Sequence, residues 1–306
     1  MPENKKSSPT ISILTPVYNQ EKYIAETIES VLSQGYPNLE YLVLDDGSTD
    51  GTLEIIKKYA NQIRWQTQIN MGESATVNKG VEMLNGEIVG IVNGDDPLLP
   101  GILQAVTEMF TAHSDLLVVY PDWKMIDADG NLLEYRKTAD YDYAKMVCEH
   151  YCIPGPGAFF KRELFLKLNG RDTNFRFVAD FDFWLRAGLE GPFARIPQTL
   201  ACHRWYTGGT SSAARGAAMA EEHILLLDKL FALPTFPPNL LKKKKEAYSS
   251  AFFTAGVCSG ENKKLKSQYY FKALINAPLK YLFKYQRRSL VILKFFLPFL
   301  HRKQPS

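Results

Sequence analysis

The stretch Ile88-Val89-Gly90-Ile91-Val92-Asn93-Gly94-Asp95-Asp96-Pro97-Leu98-Leu99-Pro100-Gly101 decides the fold. Its first five residues are apolar without alternation, the pattern of a strand covered on both faces. A polar, acidic turn then breaks the run. Pro100 and Gly101 open a helix that carries Leu103, Val106 and Phe110 at helical spacing. Working outward, the same order of strand, polar turn and helix recurs. Ile11 to Leu14 end at Pro16, and Ile24, Ile28, Val31 and Leu32 follow in helical register from near Asn19 or Gln20. Leu39 to Leu44 end in Asp45-Asp46-Gly47-Ser48, and Leu53, Ile56 and Ala60 mark the next helix. Ile63 to Gln68 read as a strand, Ala75 to Leu84 as a helix and Leu116 to Tyr120 as a further strand. Strands alternating with helices of this length imply βαβ units and an α/β fold with a mostly parallel, Rossmann-like sheet flanked by helices.

Beyond residue 121 the pattern loosens. Asp129-Gly130-Asn131 is a turn signal, and Ile153-Pro154-Gly155-Pro156-Gly157 cannot be helical. Arg162 to Leu168 and Val178 to Leu189 read as helices, and Thr199 to Trp205 as a strand. Ala213 to Leu233 form a long helical stretch that ends at Pro234. The prolines Pro234, Pro237 and Pro238 introduce a helical, aromatic and basic extension broken by Pro278 and Pro298. The expected divisions are a flexible N-terminus over 1–9, a first α/β half over 10–120, a looser second half over 121–233, and a basic, aromatic helical tail over 234–306.

Charge is unevenly placed. Residues 231–306 hold 15 Lys and Arg against two acids, a charge of +13, so a chain of net +3 carries −10 in its remainder. An acidic body with a basic tail points to an anionic partner surface, and an anionic membrane fits aromatic and basic residues lying together. No recognised nucleic-acid-binding motif accompanies the charge, so nucleic acid is not expected. Cys148, Cys152, Cys202 and Cys258 lack the clustering of a structural zinc site and read as free thiols. Met1 to Pro9 lack an apolar signal segment, and no apolar run reaches the ~18–20 residues that span a bilayer. These features predict a cytoplasmic protein, free or peripheral on the cytoplasmic face of the membrane.

In an open α/β sheet, ligands bind beyond the carboxyl ends of the strands. Three polar clusters fall there: Thr15 to Asn19, Asp45 to Asp50, and Asn93 to Asp96. Asp95 and Asp96 are hard oxygen ligands suited to Mg²⁺ or Mn²⁺ shared with phosphate oxygens. An acidic turn before Pro97 would look similar, but the buried strand before it and the helix start after it favour the metal. Asp50 or Thr49 can cap the following helix; capping leaves Asp45 and Asp46 unexplained. His113, His150, His223 and His301 show no partners in the sequence.

These motifs in series resemble the family 2 glycosyltransferases, which have the GT-A fold. The matching stretches are Ile13 to Asn19, Asp45 to Thr52, Asn70-Met71-Gly72 with Asn78-Lys79-Gly80, Gly86-Glu87-Ile88, Asn93 to Asp96 with Pro100-Gly101, and Ala179-Asp180-Phe181-Asp182-Phe183-Trp184-Leu185-Arg186. The resemblance covers roughly residues 10–212, and its strength lies in the order of the motifs. It implies that Pro16 and Tyr18 hold the base of a nucleotide-sugar and that Asp46 meets its base or ribose with Asp45 nearby. Gly72, Asn78, Asn93 and Asp95 line the same donor site. Asp96 is the implied main metal ligand with Asp95 assisting, and His203 a metal or phosphate contact beside Thr210-Ser211-Ser212. Asp180 is the implied general base; its other use would be as an N-cap, and Asp182 is the second candidate. Two departures stand out. Asn93 occupies a position where the family often has Asp, and Thr76-Val77-Asn78 lacks an Arg common before the Asn.

The implied activity is an inverting transfer of a sugar from a nucleoside-diphosphate donor, a UDP-sugar by the family's common choice. The acceptor would be a glycan or lipid-linked hydroxyl, in surface polysaccharide or glycolipid synthesis. A sugar nucleotidyltransferase is the first alternative, but Thr15 to Gln20 lack a Gly-rich phosphate loop. A non-catalytic nucleotide-sugar-binding protein is the second, and Asp95, Asp96 and Asp180 argue against it.

Overall fold

The computed structural model describes residues 8–207, 216–283 and 286–300. The stretches 1–7 and 208–215, with Thr210 to Ser212, lie outside the described residues, as does His301. The described chain forms two compact units. One holds the residues up to Asp142 and from Cys152 to Thr207; the other holds Tyr143–Tyr151 and the residues from 216 on. The second unit thus takes in Tyr143–Tyr151 and the helix before residue 234 as well as the tail.

The first unit is built on one eight-stranded sheet. Its strands are β1 (Ile11–Val17), β2 (Leu39–Asp45), β3 (Arg64–Thr67), β4 (Ile88–Ile91), β5 (Val118–Ile126), β6 (Leu132–Arg136), β7 (Phe159–Lys161) and β8 (Phe193–Arg204). They lie in the order β3-β2-β1-β4-β7-β5-β6, with β8 on β5. β1 pairs in parallel with β2 and β4, β2 with β3, and β5 with β8. β7 runs antiparallel to both β4 and β5, so β5 points the same way as β4. Six of these strands therefore end at one edge, and only β6 and β7 oppose them.

Every residue of β1 is buried, Ser12 and Thr15 included, so the strand is covered on both faces. Ile11, Ile13 and Val17 join one core with Ile24, Ile28 and Val31 of helix α1 (Ile24–Leu32). The spacing 24, 28, 31 puts these on one face, and each fully buried side chain of this size contributes ~1.5–3 kcal/mol. Leu14 points the other way, toward α3 (Glu73–Glu82). A Cβ on Gly80 would lie 2.5 Å from Leu14 Cδ1, so only glycine lets that helix approach so closely. Trp184 is in the core, and the four tryptophans, Trp65, Trp123, Trp184 and Trp205, all lie in this unit.

β6 and β7 are additions to the sequence reading. β6 is exposed along its whole length and pairs with β5 beyond the Asp129-Gly130-Asn131 turn; β7 is three residues long. Neither carries a pattern long or apolar enough to read.

The second unit is helical: α5 (Tyr143–Cys148), α8 (Ala217–Ala232), α9 (Pro238–Leu241), α10 (Lys244–Cys258), α11 (Lys263–Asn276), α12 (Pro278–Phe283) and α13 (Gln286–Leu300). Ser250 Oγ donates to Cys148 O, and Arg288 Nη2 donates to Glu149 O, so the short N-terminal segment is bonded into the unit. The sequence shows no partner for His150 or His223, but the fold pairs them: Nε2 of His150 lies 2.9 Å from Nδ1 of His223, both buried. Burial lowers the pKa of both, that of His223 to about 4. Among the described residues no helix is long and apolar enough to cross a membrane.

Candidate active site

Because β1, β2, β4 and β8 end at one edge, their C-terminal loops meet there. The first two loops are laced together. Asn19, in the left-handed region at φ 53, donates its N–H to Ser48 Oγ and accepts from Thr49 N through Oδ1. Asp50 Oδ1 accepts from Thr52 N at the start of α2 (Thr52–Lys58), so it braces that helix end from one residue outside the N-cap, which is Gly51 and has no side-chain cap bond. Pro16 is buried within β1, while Tyr18, just past its end, is 47% exposed and presents its ring to solvent.

Asp45 and Asp46 are both buried, and their oxygens are already engaged. Asp45 accepts from Ser48 N and Thr67 Oγ1. Asp46 accepts from Met71 N, Gly72 N and Gln68 Nε2, each at 2.9 Å. Three donors on one carboxylate hold the Asn70-Met71-Gly72 turn against β2, and Gly72 at φ 85 needs the freedom of glycine there. What Asp46 offers a ligand directly is its remaining lone-pair capacity.

The acidic turn after β4 is fixed from two sides. Thr27 Oγ1 on α1 donates to Gly94 O, and residues 97–99 bond to β8 through Cys202 N to Pro97 O and Leu99 N to Leu200 O. That pairing carries β8 past Asp96, which is buried. Its Oδ1 accepts from Arg204 N at 2.8 Å and its Oδ2 from Asn93 Nδ2 at 3.2 Å. Asn93 is thereby explained: it puts a donor where a third carboxylate would repel. His203 Nδ1 lies 3.3 Å from Asp96 Oδ1 but off the line a hydrogen bond requires, and it is buried without a hydrogen-bond partner. Asp95 is half-buried, and its Oδ2 accepts from Tyr206 Oη at 2.9 Å and from Gln20 Nε2 at 3.4 Å.

Charge in this cluster is strained by proximity. Burial, and next the charge on Asp96, push the Asp95 carboxyl up to about 6. Burial works against the His203 imidazolium, yet Asp96 and Asp95 outweigh it and raise its pKa. Beneath them lies Arg204. Its guanidinium donates to Asp95 O, Asp127 O and Ala128 O, pairs with Glu26 and covers the Tyr23 ring at 4.6 Å. Among the described residues no three His, Cys, Asp or Glu side chains converge closely enough to hold a metal unaided.

Asp180 and Asp182 open α7 (Ala179–Ala187) but are used differently. Asp182 is buried and bound to Arg186, 2.7 Å away, whose guanidinium also donates to Leu168 O and Gly170 O. It is a structural carboxylate. Asp180 does not cap the helix; its Oδ1 accepts only from the adjacent Phe181 N, and the residue is open to solvent. Neighbouring chain nonetheless crowds and partly desolvates its carboxylate. That crowding raises its pKa; Arg171 opposes the rise and Glu73 reinforces it. Arg171 is paired with Glu73 at 2.8 Å, and its backbone is gripped by Asn78. Asn78, implied as a donor contact, gives Nδ2 to Arg171 O and takes Arg171 N on Oδ1, both at 2.8 Å.

The expected residues therefore assemble into two groups. Asp95, Asp96 and His203 meet directly; Asp46, Gly72, Asn78 and Asp180 are linked through α3 and Arg171. No hydrogen bond joins Asp180 to the acidic turn. Between them lies the Ile153 to Gly157 loop. A Cβ on Gly155 would meet Trp123 Nε1 at 2.8 Å, and the Trp123 ring in turn meets His203 edge-on at 5.7 Å. Gln20, Arg204 and Tyr206 were not read from sequence as site residues. Arg204 and Tyr206 flank a histidine that was, and that adjacency is the only signal they carry.

Comparison with known proteins adds independent findings. The family model described as Glycosyl transferase family 2 matches residues 12–168. Chondroitin synthase of Escherichia coli is 28% identical over 236 residues, 73% of this chain and 33% of that protein. The chain thus spans about a third of that relative. The structure of S. aureus TarS 1-349 in complex with UDP-GlcNAc superposes with a TM-score of 0.68 at 19% identity, covering 95% of this chain and 86% of TarS. The mannosyltransferase PcManGT of Pyrobaculum calidifontis, in complex with GDP-Man and Mn2+, does so with a TM-score of 0.60 at 18% identity, covering 95% and 86%. At these identities the structural likeness establishes the GT-A fold.

Proposed function

The chain belongs to glycosyl transferase family 2, and from that premise we propose that it moves a sugar from a nucleoside-diphosphate donor to a hydroxyl of a glycan or lipid-linked acceptor, with inversion. A UDP-sugar is the proposed donor, and surface polysaccharide or glycolipid assembly the proposed setting. The UDP-GlcNAc carried by the TarS structure and the GDP-Man and Mn2+ carried by PcManGT support a donor of this chemistry.

Asp180 takes the proton of the acceptor hydroxyl. The acceptor oxygen forms its bond to the anomeric carbon as the bond from that carbon to the diphosphate oxygen breaks, and the nucleoside diphosphate leaves. Attack opposite the leaving group inverts the carbon. A carboxylate of raised pKa is the stronger base, and a positioned base contributes ~10²–10⁴-fold. The Asp95–Asp96–His203 group does not close around a metal unaided, but mutual repulsion of the carboxylates and a buried imidazole nitrogen without a hydrogen-bond partner support a divalent cation shared with the donor's phosphate oxygens. Asp96, with Asp95 and His203, would hold Mg²⁺ or Mn²⁺. When bound, the cation offsets charge developing on the departing diphosphate. Tyr206 and Gln20 orient Asp95, and Tyr18 offers its ring to the base.

The observation that carries this reading is the contrast within α7. Asp182 is locked to Arg186, while Asp180 is exposed, accepts through Oδ1 from Phe181 N in the first turn, and feels the charge of Arg171. The test is release of nucleoside diphosphate from UDP-sugars with an acceptor panel, with and without Mn²⁺. Turnover should need the metal and fall in Asp180→Asn while donor binding persists. Pyrophosphate release from a nucleoside triphosphate would instead favour the nucleotidyltransferase.

A further inference from the structure

In the second unit, α11 is apolar on two opposite faces. Tyr269, Tyr270 and Ala273 are buried, and Tyr270 and Ala273 share a core with Tyr281 and Ile292. The other face is bare: Phe271 is 61% and Ile275 58% exposed. At 100° per residue, Lys264, Gln268, Phe271 and Ile275 fall in one stripe, with Lys263 and Lys272 at its margins. The last helix, α13, repeats the arrangement. Ile292 points inward, while Leu290, Val291 and Leu293 are exposed among Arg287 and Lys294. A helix apolar all round is ordinarily covered all round.

Charge says what the cover is. From Asn262 to Leu300 the chain has nine Lys and Arg and no acid. Lys263, Lys264, Arg287 and Lys294 make no ion pair with any described residue. A second copy of this chain would bring two cationic faces together, and a nucleic acid would gain nothing from Phe271 and Ile275. Cationic side chains beside an aromatic and branched aliphatic stripe suit the boundary between headgroups and acyl chains. We propose that the outward faces of α11 and α13 bind an anionic phospholipid surface, with Phe271 and Ile275 inserted and Lys263, Lys264 and Lys294 meeting lipid phosphate. This assignment stands apart from the sugar-transfer reading.

The test is flotation of the full chain with vesicles of phosphatidylcholine alone and of phosphatidylcholine mixed with phosphatidylglycerol. Binding is expected only to the mixed vesicles and should weaken as salt is raised. Neutralising Lys264→Gln and Lys294→Gln should lower the partition coefficient about fivefold per residue, the equivalent of ~1 kcal/mol each. Phe271→Ser with Ile275→Ser should lower it at low salt too. All four side chains are exposed, so far-UV circular dichroism should not change; were a variant to misfold, the two vesicle compositions and the salt series on the unaltered chain still decide. Equal partition to neutral vesicles, or no partition to either, overturns the proposal. So does a concentration-dependent dimer that Phe271→Ser with Ile275→Ser dissolves, or binding to duplex DNA as tight as to mixed vesicles and indifferent to that change.

Discussion

The two units treat buried titratable groups in opposite ways. At the strand ends of the sheet unit, carboxylates are crowded until Asp95 resists giving up its proton, and the nearby His203 is drawn toward the charged state. In the helical unit, His150 and His223 are buried against each other and held neutral, while the cations remain on the surface. The first arrangement costs stability, and under the proposed function a bound cation would relieve it. The second carries no net charge at neutral pH. Crowded like charges of the first kind are the arrangement that the proposed function draws on.

The largest expected effect tests the sheet unit directly. Asp180→Asn should cut turnover ~10²–10⁴-fold with donor affinity held. Full turnover in that variant, read by nucleoside diphosphate release, would remove Asp180 as the base and leave the open carboxylate of α7 unexplained.

A second contrast is between opposite pH responses. For His150 and His223 the folded pKa lies below the ordinary 6.5, that of His223 at about 4. The unfolded chain then binds more protons below 6.5, so the helical unit is fully stable above that value and loses stability as pH falls through about 4. Asp95 runs the other way. Its folded pKa of about 6 exceeds the ordinary 3.8, so its contribution is largest below 3.8 and is lost as pH rises through about 6 without metal. Because all four tryptophans are in the sheet unit, acid should reduce helical circular dichroism before it moves tryptophan fluorescence. Coincident loss of both signals would show that the two units do not respond separately.

Asn78→Ala should act next in size. Losing the two bonds that hold Arg171 would displace the segment leading to Asp180, and small misplacements cost up to ~10²-fold. The expected result is a fall in kcat with little change in donor KM; a change confined to KM would place Asn78 on the donor after all.

Smallest is Asn93→Asp. It replaces the donor to Asp96 with a third negative charge, so the metal-free melting temperature should drop by a few degrees, the scale of about 1 kcal/mol. Mn²⁺ should restore more stability than it gives the unaltered chain. An unchanged melting temperature would argue that Asn93 does not shape the acidic turn.

Much of the sheet unit is legible in the sequence because its strands are continuous apolar runs and its loops change character abruptly. Asp45-Asp46 and Asp95-Asp96 stand out for the same reason. The partners that set their chemistry do not. Gln20 and Tyr206 approach Asp95 across 75 and 111 residues of chain, and nothing in a linear pattern announces such a meeting. Asn93 reads as a defect until its amide is seen on Asp96. β6 has no buried residue to give it a period, and the meeting of His150 with His223 depends on helix packing.

Neither unit is an unbroken length of chain. Tyr143–Tyr151 belongs with helices that follow residue 216, and β5 must wait for β8, made only after another stretch of chain has emerged. As the polypeptide leaves the ribosome, β5 therefore exposes an unpaired edge, and Met146, Val147 and Cys148 lack their cover until the final helices are synthesised. Long-range pairings of this kind fold late and expose apolar surface while they wait. A fragment cut after residue 207 would keep the acidic turn and lose the acceptors' partners at Cys148 and Glu149. The chain is a poor subject for dissection, and folding of its second unit should wait for the helices that follow residue 216.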